Sequence, residues 1–209
     1  MKKKSQNVLT LLSKAYPDAP TTYLDYNNAF EMLIATILSA RSTDAGVNKV
    51  TPELFSRFPN PNSLAEASVE DLAPIIKRVG AYNRKAAYIR DTSKILLERY
   101  GGEVPKTIDE LVVFPGVSRK TANVVLSVVF GINEGVIVDT HIGRVSQRLG
   151  FTTQEKPPKI EKDLKELLPQ TKWGEYAVLI GAHGRRTCKS RKPYCADCAV
   201  VALCPSAEL

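Results

Sequence analysis

A chain of 209 residues, 44% apolar and 24% charged, has the composition of a folded globular protein and the length for one sizeable core or two small ones. Its 29 lysines and arginines against 22 acidic residues leave a net charge of +7, a balance suited to meeting phosphates. No run approaches the roughly twenty apolar residues of a membrane span, which excludes a transmembrane protein.

The opening, "MKKKSQNVLTLLSKAYPDAP", imitates a secretory signal, with three lysines before an apolar stretch. The stretch "VLTLL" is too short, Lys14 breaks its continuation, and no small-residue cleavage site is present. The chain therefore reads as cytoplasmic, where thiols stay reduced and disulfides are rare.

Helical spacing comes next. Phe30, Leu33, Ile34, Ile37 and Leu38 recur at helical intervals in "NNAFEMLIATILSARS". "SVEDLAPIIKRVG" opens with Ser68 and carries Asp71 three residues on, an approximate capping box. "NRKAAYIRDTSKILLERYGG" places Ala86, Ile89, Ser93, Leu96 and Leu97 on one face and ends in glycines. "RKTANVVLSVVFG" is rich in strand-forming valines, but its length and the stop at Gly131 favour a helix. "GVIVDT" fits a short strand or an extended linker; "IEKDLKELLPQ" and "WGEYAVLIGAHG" read as two further helices. The breaks "FPNPNS", "YGGEVPKT", "FPGVS" and "TTQEKPPK" are short, and no repeat or low-complexity tract occurs. The expected fold is all-α, with roughly ten short helices. The dense runs "LVVF" and "VVLSVVF" read as core rather than interface, so a monomer is expected.

All four cysteines fall between Cys188 and Cys204, spaced C-x6-C-x2-C-x5-C. Four thiolates can hold a zinc ion or a [4Fe–4S] cluster. Zinc ribbons carry two C-x2-C pairs; one pair flanked by single cysteines suits the cluster better, with zinc kept open. A closed set of four protein ligands leaves no open position for substrate, so the metal would staple the C-terminal segment. Lys189, Arg191 and Lys192 lie between the first two cysteines, and Arg185 and Arg186 just before them. Such a loop can compensate thiolate charge, contact nucleic-acid phosphates, or both.

The stretch "LVVFPGVSRKTANVV" reads as two helices joined by a turn at Pro115 and Gly116. The N–H groups of the second helix can bind phosphate without reading sequence. Lys120 sits in the first turn of that helix, and Asp139 comes nineteen residues later, ahead of the next one. A lysine amine can attack a sugar C1′ and form a Schiff base when neutral, a state that burial or neighbouring cations favour. A carboxylate can stabilise the oxocarbenium-like sugar or move the proton. The plainer readings are a phosphate contact for Lys120 and a helix N-cap for Asp139. His141 and His183 read as hydrogen-bonded structural residues. Arg144 and Arg148, one helical turn apart, read as a phosphate-facing edge.

Together, "FPGVSRKTANVVL", "VDTHIGRV" and the cysteine tail resemble the endonuclease III family of the helix-hairpin-helix DNA glycosylase superfamily. "LIATILSARSTDAGVNKV" and "VGAYNRKA" extend the resemblance, which covers residues 27 to 204. It implies a two-lobed all-α fold, with a six-helix lobe over 25–135 and a second lobe from 1–24 and 136–209. It implies Lys120 as the Schiff-base residue, Asp139 as its carboxylate, and Cys188, Cys195, Cys198 and Cys204 as ligands of a [4Fe–4S] cluster, which raises the cluster well above zinc. DNA contacts would come from the hairpin (Gly116, Val117, Ser118, Arg119), from Arg144, and from Lys189, Arg191 and Lys192.

The implied activity is that of a base-excision glycosylase and abasic-site lyase. It flips a damaged pyrimidine from duplex DNA, displaces the base through Lys120 and cuts by β-elimination. Such a protein would associate with the nucleoid through DNA. A relative acting on a mismatched thymine or an alkylated base, or a weakly active DNA-binding homologue, is the alternative. The adenine-mismatch branch, which lacks the lysine and adds a C-terminal domain, fits less well.

Three positions depart from the family's pattern. Ser118 replaces the second glycine of P-G-V-G; as a helix start, serine is a good N-cap. Arg41 stands where glutamine is common and Ala81 where a bulkier apolar wedge is usual. Both positions fill the gap left by the flipped base, so altered lesion or opposite-base preference is expected.

Overall fold

The computed structural model describes residues 1–208; Leu209, at the end of the expected second lobe, lies outside the described residues. Twelve α-helices and two short 3-10 turns make up the regular structure of the described residues, which contain no strand. None of these helices is long and apolar enough to cross a membrane. By its own contacts the chain divides into one unit over residues 23–132 and another formed by 1–22 with 133–208.

The unit over 23–132 is built around α2 (Ala29–Ser39), in which every residue from Phe30 to Leu38 is buried. A helix apolar on all sides belongs at the centre of a core. Asn28 caps it by accepting from Glu31 N, and the buried Glu31 carboxylate takes the N–H and amide of Asn27 at 2.8 and 2.9 Å. α7 (Tyr82–Tyr100) and α9 (Arg119–Phe130) pack on α2. α7 buries Ala86, Ile89, Ser93 and Leu96 and ends at Gly101, whose φ of 59° makes the left-handed stop that its glycines predict. α6 (Val69–Ile75) starts at Ser68, whose hydroxyl accepts from Asp71 N at 3.0 Å. α9 is a helix despite its valines: Val125 and Leu126 are fully buried, and tertiary packing outweighs strand propensity.

Some expectations fail here. The break "FPNPNS" contains the start of α5 (Pro61–Glu66), where proline occupies the first turn and Asn60 and Ser63 cap each other reciprocally. α3 (Asp44–Asn48) and α4 (Thr51–Arg57) are short helices that raise the total above ten. α8 (Ile108–Leu111) ends before Phe114. That leaves Val112 and Val113 in the turn, 40% and 43% exposed, rather than in the core.

The other unit joins α1 (Lys2–Ala15) to α10 (Thr140–Arg148), α11 (Pro157–Leu167) and α12 (Trp173–Arg186). α12 packs on both α1 and α10. Val8, Leu12, Val145, Leu164, Tyr176 and Ile180 are fully buried at its centre. The Tyr176 hydroxyl bonds Ser146 Oγ at 2.8 Å, which satisfies both buried groups. "GVIVDT" is an irregular linker into α10, not a strand.

Candidate functional site

Residues 112–118 form a tight turn between α8 and α9. Gly116 has φ of 80°, and a Cβ there would lie 2.6 Å from Cδ2 of Tyr88, so backbone angle and space both require glycine. Ser118 is extended, at φ −83° and ψ 166°, and caps α9 by accepting from Thr121 N at 3.2 Å. The departure from P-G-V-G therefore carries no strain. The N–H groups of Gly116, Ser118, Arg119 and Lys120 have no protein partner among the described residues. Val117 is different: its N–H donates to the Phe114 carbonyl at 3.1 Å and its side chain is 7% exposed in the core. It anchors the turn. Arg119 and Lys120 are exposed on the first turn of α9, so the partial burial expected of Lys120 is not supplied within this unit.

Arg41 and Ala81, on two other turns of the same unit, share a feature that sequence did not disclose. They are the non-glycine residues with left-handed backbone among those described, at φ 55° and 57°. Arg41 lies just past the end of α2 and Ala81 precedes α7 without a side-chain cap; both are exposed. Strain of this kind concentrates at functional sites.

Asp139, in the other unit, accepts from Ile142 N at 2.7 Å through Oδ1 and so caps α10. Its second oxygen lies 3.8 Å from Nη2 of Arg185, and the side chain keeps 23% exposure. The N-cap reading of Asp139 is thus correct, and one oxygen stays free of the cap. Arg144 is half-exposed and hydrogen-bonded to its own unit. Its guanidinium donates to the carbonyls of Gly184 at 2.8 Å and Cys188 at 3.0 Å. Arg148, also half-exposed, donates to Lys189 O at 2.7 Å and Ser190 O at 2.9 Å, with Nη1 3.3 Å from the Cys188 sulfur. Backbone carbonyls that need donors explain these contacts, because the cysteine segment has little regular structure of its own.

Cys188, Cys195, Cys198 and Cys204 are free, half-buried thiols lining one pocket of about 400 Å³, its open mouth included. Burial, and then the neighbouring Cys204, Cys188 and Cys195, push the Cys198 thiol up, against a backbone hydrogen bond from Val200. His183 backs the pocket at 2% exposure, with Nε2 3.7 Å from the Cys198 sulfur and Nδ1 2.8 Å from the Tyr16 hydroxyl. Burial lowers its pKa to about 4, which keeps the ring neutral, as a structural histidine. His141 sits half-buried with Nδ1 3.3 Å from Arg144 Nη2. Lys189, Arg191 and Lys192 are exposed between the first two cysteines, and the Lys189 ammonium lies 4.8 Å from the Tyr194 ring centre.

Residues 34–170 match the model of the HhH-GPD superfamily base excision DNA repair proteins. An endonuclease III from Synechocystis sp. is 46% identical over 99% of this chain and 94% of its own. The chain belongs to the endonuclease III family. A second family member, from Bacillus subtilis, is 43% identical over 87% of this chain and 83% of its own. Among solved structures, a trapped endonuclease III–DNA covalent intermediate with an estranged adenine aligns at TM-score 0.91 and 40% identity, covering 99% of this chain and 97% of that one. A thermostable thymine-DNA glycosylase aligns at TM-score 0.84 and 23% identity over 98% of this chain and 97% of that one, a likeness of fold.

Proposed function

We propose that Lys120 is the nucleophile with which this enzyme, a DNA glycosylase and abasic-site lyase of the endonuclease III family, removes oxidised pyrimidines from duplex DNA. The observation that carries the reading is the exposed Lys120 amine in the first turn of α9, directly after a glycine turn whose Gly116 and Ser118 N–H groups are open to phosphate. With the damaged nucleotide extruded, the lysine nitrogen bonds to C1′ as the glycosidic C1′–N bond breaks, and the base leaves with that electron pair and takes up a proton. Ring opening at O4′ gives the imine. Loss of a C2′ proton then expels the 3′ phosphate and cuts the strand. Asp139 supports the positive charge that grows on the sugar through the carboxylate oxygen its cap leaves over. DNA docking buries the Lys120 amine, which the free unit leaves exposed.

A [4Fe–4S] cluster fits the four cysteines. The donor set is four free thiols around a shared pocket, with the Arg148 guanidinium offsetting thiolate charge at Cys188. Cys188, Cys195, Cys198 and Cys204 would hold it, and when bound it would staple the basic loop of Lys189, Arg191 and Lys192 in place for backbone contact. Cytoplasmic, nucleoid-associated localisation belongs with this reading.

Borohydride trapping tests it, on duplexes carrying an oxidised pyrimidine or a plain abasic site. Adducts on both substrates, absent with Lys120→Ala, are expected. Trapping that survives Lys120→Ala would place the imine elsewhere, and an adduct on the abasic site alone would assign the glycosylase step to another base.

A further inference from the structure

α7 carries a lysine on its buried side. Lys85 is 4% exposed, and no carboxylate pairs with it among the described residues. Its ammonium donates to the Leu38 carbonyl at 2.7 Å and to Ser42 Oγ at 3.0 Å. Ser42 Oγ also accepts from Gly80 N at 3.0 Å. Leu38 and Ser42 bracket Arg41, and Gly80 precedes Ala81. The two turns also touch directly, since a Cβ on Gly80 would stand 3.4 Å from the Arg41 carbonyl oxygen. The Lys85 N–H closes the first turn of α7 on the Ala81 carbonyl at 3.0 Å.

Two unfavourable features therefore meet at one place. A buried ammonium without a carboxylate is costly, and burial, then the nearby Arg84, push its pKa down. A left-handed arginine and a left-handed alanine are costly as well. A methionine at 85 would fill the same space without a charge, and glycines at 41 and 81 would take the same angles without strain. Core stability explains none of these choices. What the arrangement achieves is a fixed relation between two exposed turns, one of which presents a guanidinium able to stack on a base or donate to its edge.

We propose that Lys85 is a positioning residue for damage recognition, holding Arg41 and Ala81, through Leu38 O and Ser42 Oγ, as one preformed element that enters duplex DNA at an extruded nucleotide. The proposal rests on Arg41 and Ala81 as the residues that occupy the opened stack. It assigns the lesion-specific part of binding to a network whose lysine never touches DNA.

The test compares wild type with Lys85→Met and Ser42→Ala in anisotropy titrations. The probes are a duplex with a central tetrahydrofuran abasic analogue and the same duplex undamaged. Both variants should lower the preference for the abasic duplex by about tenfold, with affinity for the undamaged duplex unchanged. The double variant should lose no more than Lys85→Met alone, because the two residues act in one network. Ala81→Gly placed in the Lys85→Met protein should recover part of the preference, since glycine takes the left-handed angle without strain, and a loss of general stability would not recover this way. Borohydride trapping on a single-stranded abasic oligonucleotide should be unchanged.

Folded variants with an unaltered preference would overturn the proposal, as would equal loss on both duplexes. If Lys85→Met does not fold, Ser42→Ala carries the same decision. A wild type that binds both duplexes alike would overturn the role given to Arg41 and Ala81, and the proposal with it. Failure of wild type to trap would count against Lys120 alone and leave the binding comparison decisive.

Discussion

Gly116 and Tyr88 approach so closely that a Cβ on the glycine would lie 2.6 Å from Cδ2 of the ring and 3.2 Å from Cε2. The turn that carries Lys120 is thus seated on an aromatic side chain of α7. Gly116→Ala should destabilise the protein by about 2–4 kcal/mol, from the left-handed angle and the overlap together. Urea unfolding measures it. Tyr88→Ala in the same protein should return the overlap part and leave the angular part.

Asp139 has two duties that substitution can separate. Asparagine caps a helix as well as aspartate does. Asp139→Asn should keep the unfolding midpoint while lowering base excision about 10²-fold or more, and Asp139→Ala should add a stability loss of about 1 kcal/mol. Single-turnover kinetics beside denaturation give both numbers. Equal stability of the alanine and asparagine variants would deny the cap its weight.

On the cluster reading, the cysteine segment should depend on its metal. Cys198→Ala should abolish the visible cluster absorption and the iron content, about four irons per chain in wild type. It should also weaken DNA binding, because Lys189, Arg191 and Lys192 lose their frame. The salt dependence of binding should flatten in parallel, as fewer phosphates are neutralised.

Lys85 gives an alkaline signature. Its folded pKa lies below the ordinary lysine value of 10.5, so the unfolded chain holds the proton more tightly. Stability contributed by this group therefore rises with pH between the depressed folded value and 10.5. Below that window the full cost of the buried charge applies. The stability difference between wild type and Lys85→Met should shift in favour of wild type as pH climbs towards 10.5 in thermal unfolding experiments.

Arg41 and Ala81 should set preference rather than chemistry. Arg41→Gln combined with Ala81→Leu should speed removal of oxidised pyrimidines from duplexes while leaving trapping at a single-stranded abasic site unchanged. An unchanged duplex rate would show that the departures are neutral.

Helix content was legible wherever burial repeats at helical spacing. α2 shows it along with where it stops: its periodicity runs to Leu38, but the sequence around Arg41 has no glycine or asparagine to announce a left-handed residue. The caps at Ser68, Ser118 and Asp139 could be read directly, because a short polar side chain before a helix has one common use. Lys85 could not. Nothing in "NRKAAY" distinguishes a lysine that snorkels to water from one that finds a carbonyl forty-seven residues away in sequence. The protein partners of Arg144 and Arg148 were hidden for a related reason: spacing gives the helix face, but the partners on it come from the cysteine segment. Val112 and Val113 are apolar by composition and exposed because α8 ends before them.

The unit that contains α1 draws the rest of its residues from the far end of the chain. During synthesis, residues 23–132 can close their own core as soon as they leave the ribosome. α1 emerges earlier yet has nothing to pack on, since Val8, Leu9 and Leu12 share their core with Val145, Leu164 and Ile180. Its apolar stripe must wait through most of translation, a delay that the three lysines at its front and the shortness of its apolar run make tolerable. A helix made before its partners is among the last to find its place.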